Sequence, residues 1–581
     1  MDNFTDFFEK FSKKKGSSRI FGKSSTAASV IISLVITLLF GGIYFYLELP
    51  AINLMNEELY ICLILLSAIF IVCMSLLSNK APVTGNSAKI KVLKYVFRQP
   101  VAAAIIILSI LALIVGSLIG VPLFRAKDYS NILALNNGNF AEDVSEIDWD
   151  QIPLLDSDSA NRLANRKLGE LSELVSQFTV STDSAQINYQ NSPVRVTYLD
   201  YSDFFKWMNN QKSGIPAYIT IDMRTQEVTV VRLENEMKYS PSEYFGRDLM
   251  RHLRFSYPTC MFNDVNFEID DEGTPYWVAS VMTKTIGLFG GRDIKGAVLL
   301  NAVTGESKYY SVGDIPTWVD RVYDSELLIE QYDYTGLYKN GFFNSLFNQT
   351  GCTATTEGYN YVVLDDDVWM YTGITSVTSD EGNIGFILVN QRTKEAKYYT
   401  CAGAEEYSAR DSAEGAVQQY GYISTFPLLL NIGDQPTYFM ALKDSAGLVK
   451  MYAMVNVQQY QIVATGYSLS ECQEKYHELL ESNGIVSDKK EDVPEEEENK
   501  LLSINGKLDD IRSAAIDGNT IYYLRVEGST VYYTISAKDC PAAVLLNVGD
   551  DVTIEYYETE DTVMIKCEKV TLTPPVSDEN K

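Results

Sequence analysis

The sequence predicts an α+β protein with three transmembrane helices at its N-terminus, tandem antiparallel helix-plus-sheet modules outside the membrane, and a small C-terminal β-barrel. Three observations predict it. Three uncharged apolar runs fall within the first 124 residues, an apolar strand ending in Asp or Asn turns back on itself four times, and an acidic stretch is followed by text that is almost all strand.

The first segment, residues 1–26, sets Phe4, Phe7, Phe8 and Phe11 at helical spacing beside Lys10, Lys13, Lys14 and Lys15. This pattern fits a short amphipathic helix on an anionic leaflet, or an unstructured basic tail. Residues 27–124 hold the apolar runs 27–47, 59–77 and 101–124. Each is near the roughly 20 residues that cross a bilayer. The first exceeds a signal-peptide core of about 7–15 residues and has no small-residue cleavage site after it, so it is expected to be retained.

Basic residues set the orientation. Lys10, Lys13, Lys14, Lys15, Arg19 and Lys23 precede the first run, and Lys80, Lys89, Lys91, Lys94 and Arg98 precede the third. The loop between the first two runs carries only Glu48, Glu57 and Glu58. The N-terminus is therefore expected in the cytoplasm and everything beyond residue 124 outside it. No Asp, Glu, Lys, Arg or His lies within the runs, which argues against an ion or proton pathway. Gly116 and Gly120 form a small-xxx-small pair that admits close helix packing, within the three-helix bundle or between two copies as a homo-oligomer.

Charge divides the chain in the same place. Of 48 Lys and Arg, 13 lie in residues 1–127, and of 76 Asp and Glu, 6 do, which leaves 35 basic against 70 acidic groups for the exterior. So acidic a surface repels nucleic acid phosphates and anionic headgroups, so no nucleic acid partner is expected.

The exterior pattern recurs at Asp222, Asn301, Asn390 and Asn456, spaced 79, 89 and 66 residues apart. Asx side chains stabilise the turn and the β-rich flanks make the strands. Solenoid and propeller units run about 20–50 residues, so larger α+β modules with helices between the hairpins are predicted. They are 125–240, 241–318, 319–403 and 404–482. In the first, Asp156 caps a helix over 160–178; the second opens with a helix over 241–253; the fourth has a helix over 405–420.

The fourth module, with Ser412-Ala-Glu-Gly-Ala-Val417 in a helix, then Phe426-Pro427 and a strand pair across Lys443-Asp-Ser-Ala-Gly447, resembles a PepSY-type module. The second, with Tyr257-Pro258 and a pair across Asp270-Asp-Glu-Gly273, is similar. The resemblance implies a small antiparallel sheet on a helix, in extracytoplasmic bacterial proteins that regulate peptidases or cell-wall enzymes, and it supplies no catalytic residue. Residues 483–500 read as an acidic linker. Residues 501–575, with strands near 520–526, 531–536, 552–557 and 563–570, resemble an OB-fold barrel. Cys540 and Cys567 are the only cysteine pair within one small domain and are the candidate disulfide; Cys260, Cys352, Cys401 and Cys472 allow three pairings or none.

Groups able to do chemistry are sparse. His252 and His477 fit no metalloprotease pattern, and the chain has no nucleophile elbow, Walker loop or dinucleotide fingerprint. Gly287-Leu-Phe-Gly-Gly291 reads as a hairpin loop. Asp270-Asp271-Glu272 and Asp365-Asp366-Asp367 offer paired carboxylates for glycoside hydrolysis, oxygen ligands for calcium, or ordinary turn residues. The 38 tyrosines suit strands and equally suit stacking on carbohydrate or peptide.

The expectation is a non-enzymatic, membrane-anchored extracytoplasmic binding or scaffold protein of the bacterial cell envelope, without cofactor or metal. Its expected partners are the membrane and another envelope protein or wall polymer, and regulation of a wall hydrolase or peptidase follows from the resemblance alone. The alternatives are a structural subunit of a secretion or envelope complex and a carboxylate-dependent wall glycosidase.

Overall fold

The computed structural model describes residues 26–77, 99–146, 152–364, 366–485, 501–516, 519–537, 540–557 and 564–572, and it is a mixed α+β structure. The described residues up to Ile485 form one unit, and those from Leu501 onward form another. Phe4, Phe7, Phe8, Phe11, Lys13, Lys14 and Lys15 lie outside the described residues.

Among the described residues, three helices are long and apolar enough to cross a membrane: α1 (Thr26–Glu48), α2 (Glu57–Leu77) and α3 (Pro100–Ile119). The third apolar run is not one helix. It breaks at Gly120, where Val121 turns to extended backbone before Pro122 opens α4 (Pro122–Ser130). Proline disfavours helical geometry in the residue before it and lacks the N–H that would continue the ladder. Beyond α4, the short β1 (Leu135–Asn137) leads into the region of sheets.

Four sheets follow. The first is an antiparallel meander of β2 (Phe178–Tyr189), β3 (Ser192–Tyr201), β4 (Ile215–Asp222) and β5 (Val228–Met237). It is preceded by α5 (Ser157–Gly169), and the short α6 (Phe204–Asn210) lies between β3 and β4. After α7 (Leu249–Ser256), the second sheet repeats the meander with β6 (Met261–Ile269), β7 (Pro275–Ile286), β8 (Gly290–Asn301) and β9 (Ser307–Ser311).

After α8 (Ser325–Tyr338), the third sheet joins β12 (Asp367–Ser376), β13 (Ser379–Asn390) and β14 (Ala396–Gly403). The strands β10 (Thr353–Thr355) and β11 (Asn360–Leu364) both pair with β12, and β1 lies parallel to β14. After α9 (Glu406–Ala416), the fourth sheet sets β15 (Ile423–Ser424) and β16 (Leu428–Ile432) against β17 (Gln435–Lys443). It continues through β18 (Val449–Asn456) and β19 (Val463–Gly466) and is closed by α10 (Leu469–Ser482).

Helix limits differ from the sequence reading where capping and sheet burial prevail. The helix capped by Asp156, whose carboxylate accepts from Ser159 N, ends at Gly169 rather than 178. Phe178 instead opens β2 and is buried in the core. The helix expected from 241 starts at Leu249, because Asp248 provides its cap by accepting from Arg251 N. The helix expected to reach 420 stops at Ala416, and a 3₁₀ turn, Gln418–Tyr420, completes the segment before left-handed Gly421.

The four Asx turns share one geometry. Asp222 Oδ1 accepts from the amides of Arg224 and Thr225, Asn301 Oδ1 from Val303 and Thr304, and Asn390 Oδ1 from Arg392 and Thr393. Asn456 Oδ1 accepts in the same way from Gln458 and Gln459. The residue after each Asx ties the sheet to the chain that enters it. Met223 N donates to Pro193 O while its carbonyl accepts from Leu154 N; Ala302 pairs likewise with Pro275 and Tyr239, Gln391 with Val368 and Tyr323, and Val457 with Pro436 and Ala404. Each helix therefore departs from a segment already bonded to the sheet that follows it.

Neighbouring sheets share cores. Tyr198 and Tyr218 of the first pack with Phe267 and Trp277 of the second, and Leu299 of the second shares a core with Leu328 of α8 and Ile387 of the third. Between the third and fourth, the Tyr371 hydroxyl donates to Pro427 O and Asn360 Nδ2 donates to the same carbonyl. The fourth returns to the first: Lys443 Nζ pairs with Asp156 at 2.5 Å, and the Arg162 guanidinium donates to Ala446 O at 3.2 Å.

In the second unit, β20 (Leu501–Ile516), β21 (Asn519–Val526), β22 (Tyr532–Ser536), β23 (Asp551–Tyr557) and β24 (Met564–Leu572) close in the order β20-β21-β22-β24-β23. The long β20 serves both ends of the closure, pairing with β23 through its first half and β21 through its second. Leu508, Leu524, Ile535, Val552 and Ile554 fill the interior. Cys540 and Cys567 do not form the expected bridge, because their sulfurs face different carbonyls: Cys540 Sγ approaches Val570 O and Cys567 Sγ donates to Thr534 O at 3.3 Å.

Candidate functional site

Strand alternation in the first sheet sends two kinds of side chain to opposite faces. Ala185, Ile187, Val194 and Val196 enter the hydrophobic core. Ser184, Gln186 and Arg195 belong to the other face, where Gln186 stands directly opposite Arg195 in the β2–β3 register. That face is not left to solvent, since Arg195 is only 7% exposed and Gln186 6%.

Together these residues line a cavity of about 340 Å³ that also draws on Arg321 and on β11, β16 and β17. Tyr361, Phe426, Leu428 and Phe439 supply apolar wall. The bonds that hold Arg195 are long: its guanidinium donates to Ser184 Oγ at 3.2 Å and to Gln186 Oε1 at 3.5 Å. Among the described residues it forms no ion pair, although an Arg side chain stays protonated even when burial lowers its pKa, as it does here. Three residues of this wall each carry a buried side-chain N–H group, Arg195 Nε, Gln186 Nε2 and Arg321 Nε, that has no acceptor among the described residues.

The carboxylate on the same wall is committed elsewhere. Asp156 accepts from Ser159 N and pairs with Lys443. Burial would raise its pKa, but these partners outweigh burial and hold it below the ordinary value.

Arg321 is placed from the second sheet. Glu268, fully buried on β6, accepts from the backbone amides of Asp320 and Arg321 at 2.9 and 3.1 Å. Asp320 is itself buried and accepts from Asn188 N at 2.7 Å, while its other oxygen has no donor among the described residues. Burial pushes the Glu268 carboxyl up to about 7, and burial together with the Glu268 charge pushes Asp320 well above the usual carboxylate range. Neither residue carries a local sequence signal, since Glu268 is one polar member of an alternating strand that runs into Asp270-Asp271-Glu272, and Asp320 stands beside Arg321 like any surface ion pair. Arg195 has only the weak signal of a cation amid a β-branched strand.

The residues singled out from sequence fall elsewhere. Asp270 Oδ1 accepts from the amides of Glu272 and Thr274, a turn role. Asp365 lies outside the described residues; Asp366 accepts from Asn188 Nδ2, and Asp367 pairs with Arg392 and accepts from Asn390. The His252 ring meets Gly305 O and stacks near Tyr239, whereas His477 lies half-buried on α10. Among the described residues no group of three or more His, Cys, Asp or Glu is placed to hold a metal ion.

The surface that Gly116 and Gly120 admit is a β-hairpin rather than another membrane helix. Gly287, Leu288 and Phe289 form the loop between β7 and β8, the expected hairpin loop, and it rests on α3. A Cβ at Gly116 would stand 2.5 Å from Phe289, and one at Gly120 would stand 3.2 Å from Ile286 O. Tyr129 on α4 bonds Gly120 O at 2.8 Å and Tyr60 of α2 packs edge-on to Phe289, so the hairpin tip is held by several elements of the membrane end. At the end of α1, Arg251 donates to Tyr46 O and Arg254 to Leu49 O.

The chain matches no protein-family profile and no curated protein. Among solved structures it is similar to a Bifidobacterium bifidum s17 protein assigned as an exo-beta-1,3-galactanase, at 9% identity and a TM-score of 0.17 over 52% of this chain and 74% of that one. It is similar also to the exo-beta-1,3-galactanase of Phanerochaete chrysosporium, at 11% identity and a TM-score of 0.17 over 60% of each chain. Likeness at this level does not establish a shared fold.

Proposed function

We propose that the chain is a membrane-anchored extracytoplasmic binding or scaffold protein of the bacterial cell envelope. The observation that carries this reading is the attachment of the second sheet to the membrane end: Leu288 and Phe289 sit on α3 against Gly116, and Arg251 and Arg254 bind the last carbonyls of α1. A binding domain so held keeps a fixed position relative to the bilayer. The basic residues before the first and third apolar runs support an exterior location for the sheets.

A binding role is favoured over a catalytic one because the named carboxylates are engaged, Asp270 in its turn and Asp367 with Arg392. In this reading the helix-plus-sheet units are PepSY-like and the C-terminal domain OB-fold-like, on the sequence resemblances of residues 412–447, 257–273 and 501–575. Regulation of a wall hydrolase or peptidase is the specific form of the proposal.

Crosslinking in intact cells followed by affinity isolation of the full chain tests it. Recovery of an envelope protein or wall polymer crosslinked to the exterior is the expected result. Stoichiometric co-purification through the membrane helices alone would favour the structural-subunit alternative. Release of soluble sugar from purified wall, lost in Asp270→Asn, would overturn the non-enzymatic reading.

A further inference from the structure

We propose that the cavity beside Arg195 binds a small organic monocarboxylate, with Arg195 and Gln186 as its recognising groups and Arg321 at its rim. The inference rests on the binding role proposed above and names the class of ligand. Its first support is an imbalance of hydrogen-bonding groups. The side chains of Arg195, Gln186 and Arg321 come from two separate segments and line one cavity, and among the described residues their buried Nε, Nε2 and Nε groups lack acceptors, whereas buried polar groups are nearly always satisfied. A ligand that answers three donors is rich in acceptors.

The second support is charge. Arg195 is 7% exposed, and among the described residues no carboxylate forms an ion pair with it. Asp156 is spoken for by Lys443. A planar guanidinium fork fits the two oxygens of a carboxylate, and the bond is strong when both partners are charged.

Size and surroundings narrow the class. About 340 Å³ lies at the small end of ligand pockets, and Tyr361, Phe426, Leu428 and Phe439 give the body of an organic acid an apolar surface. A polyanion fits poorly, because Asp156 stands on the same wall and the exterior carries 70 acidic against 35 basic groups. Phosphate could use the same fork, so the test separates the two.

The experiment follows thermal unfolding of the full chain in detergent with acetate, benzoate, glucuronate or inorganic phosphate, each against chloride at equal ionic strength. At least one carboxylate is expected to raise the midpoint saturably, by about 2–4 °C at a hundredfold excess over its Kd. In Arg195→Met this shift should vanish, while the unliganded midpoint holds or rises because an uncompensated buried charge has gone. Should Arg195→Met not fold, Gln186→Leu takes its place, with at least tenfold weaker binding expected. The proposal is overturned if no carboxylate shifts the parent, if phosphate alone does, or if both variants bind as the parent does. Membrane fractionation of the same proteins reads anchoring separately, so loss of the ligand reading leaves the anchoring reading intact.

Discussion

Gly116 of the third membrane helix faces Phe289 at the tip of the β7–β8 hairpin so closely that a Cβ at 116 would lie 2.5 Å from the ring. A side chain there must displace the ring or the hairpin. Gly116→Val is expected to destabilise the first unit by about 1–3 kcal/mol. Phe289→Ala in the same chain should recover part of that loss, and a double-mutant cycle on unfolding midpoints in detergent would give a coupling of at least about 0.5 kcal/mol. Strict additivity would mean that the two residues do not meet.

Asp156 joins two jobs, capping α5 and neutralising Lys443 across the contact between the first and fourth sheets. Loss of the cap costs about 1 kcal/mol, and Lys443, whose side chain is only 12% exposed, is left without its anion. Asp156→Ala should therefore lower stability by about 1–3 kcal/mol after allowance for the part-exposed carboxylate. Asp156→Asn, which keeps a capping oxygen, should lower it less. Equal losses in the two variants, read by chemical denaturation, would assign the whole effect to the lost pairing with Lys443 and none to the cap.

Stability should fall as pH rises from about 4.5 to about 7, since Glu268 has an ordinary value of 4.5 and a folded value of about 7. Below that window the carboxyl is protonated in both states. Within it the unfolded chain releases a proton that the folded chain retains, which favours unfolding, and above it the loss is complete. The amplitude from this group is on the order of 3 kcal/mol. Asp320 is displaced in the same direction. Asp320→Asn should be more stable than the parent at pH 8 and no more stable at pH 4, as read from denaturant midpoints. An advantage of equal size at both values would remove titration as its cause.

Each Asx turn binds two backbone amides with one side chain. Asn301→Ala leaves the amides of Val303 and Thr304 without that acceptor and is expected to cost about 1–2 kcal/mol. Asn301→Asp should be nearly neutral, because Asp222 fills the same position in the first turn. Hydrogen exchange at Val303 and Thr304 checks the assignment, with faster exchange expected in the alanine variant alone.

Local chemistry explains what could be read from the sequence. Asp222, Asn301, Asn390 and Asn456 bond to amides two and three residues away, so the sequence contains both donor and acceptor of each turn. Membrane helices are legible for a like reason, since length and apolarity are properties of the segment itself. Gly116 and Gly120 announced a close approach without naming the surface that approaches, which comes from residues 286–290. The cavity was the least legible feature. Gln186 and Arg195 meet through a hairpin register, but Arg321 arrives by way of Glu268 on another sheet, and no periodicity encodes that meeting.

The contact of Lys443 and Ala446 with Asp156 and Arg162 has a consequence for how the four-sheet region resists damage. In a linear array the terminal units have one neighbour and need caps. Here the last sheet leans on the first, so each of the four has two neighbours and no unit is terminal. A single cut in a surface loop leaves both fragments gripped on two sides. Partial digestion under native conditions should accordingly yield nicked chains that still migrate as intact protein until denaturant separates the pieces.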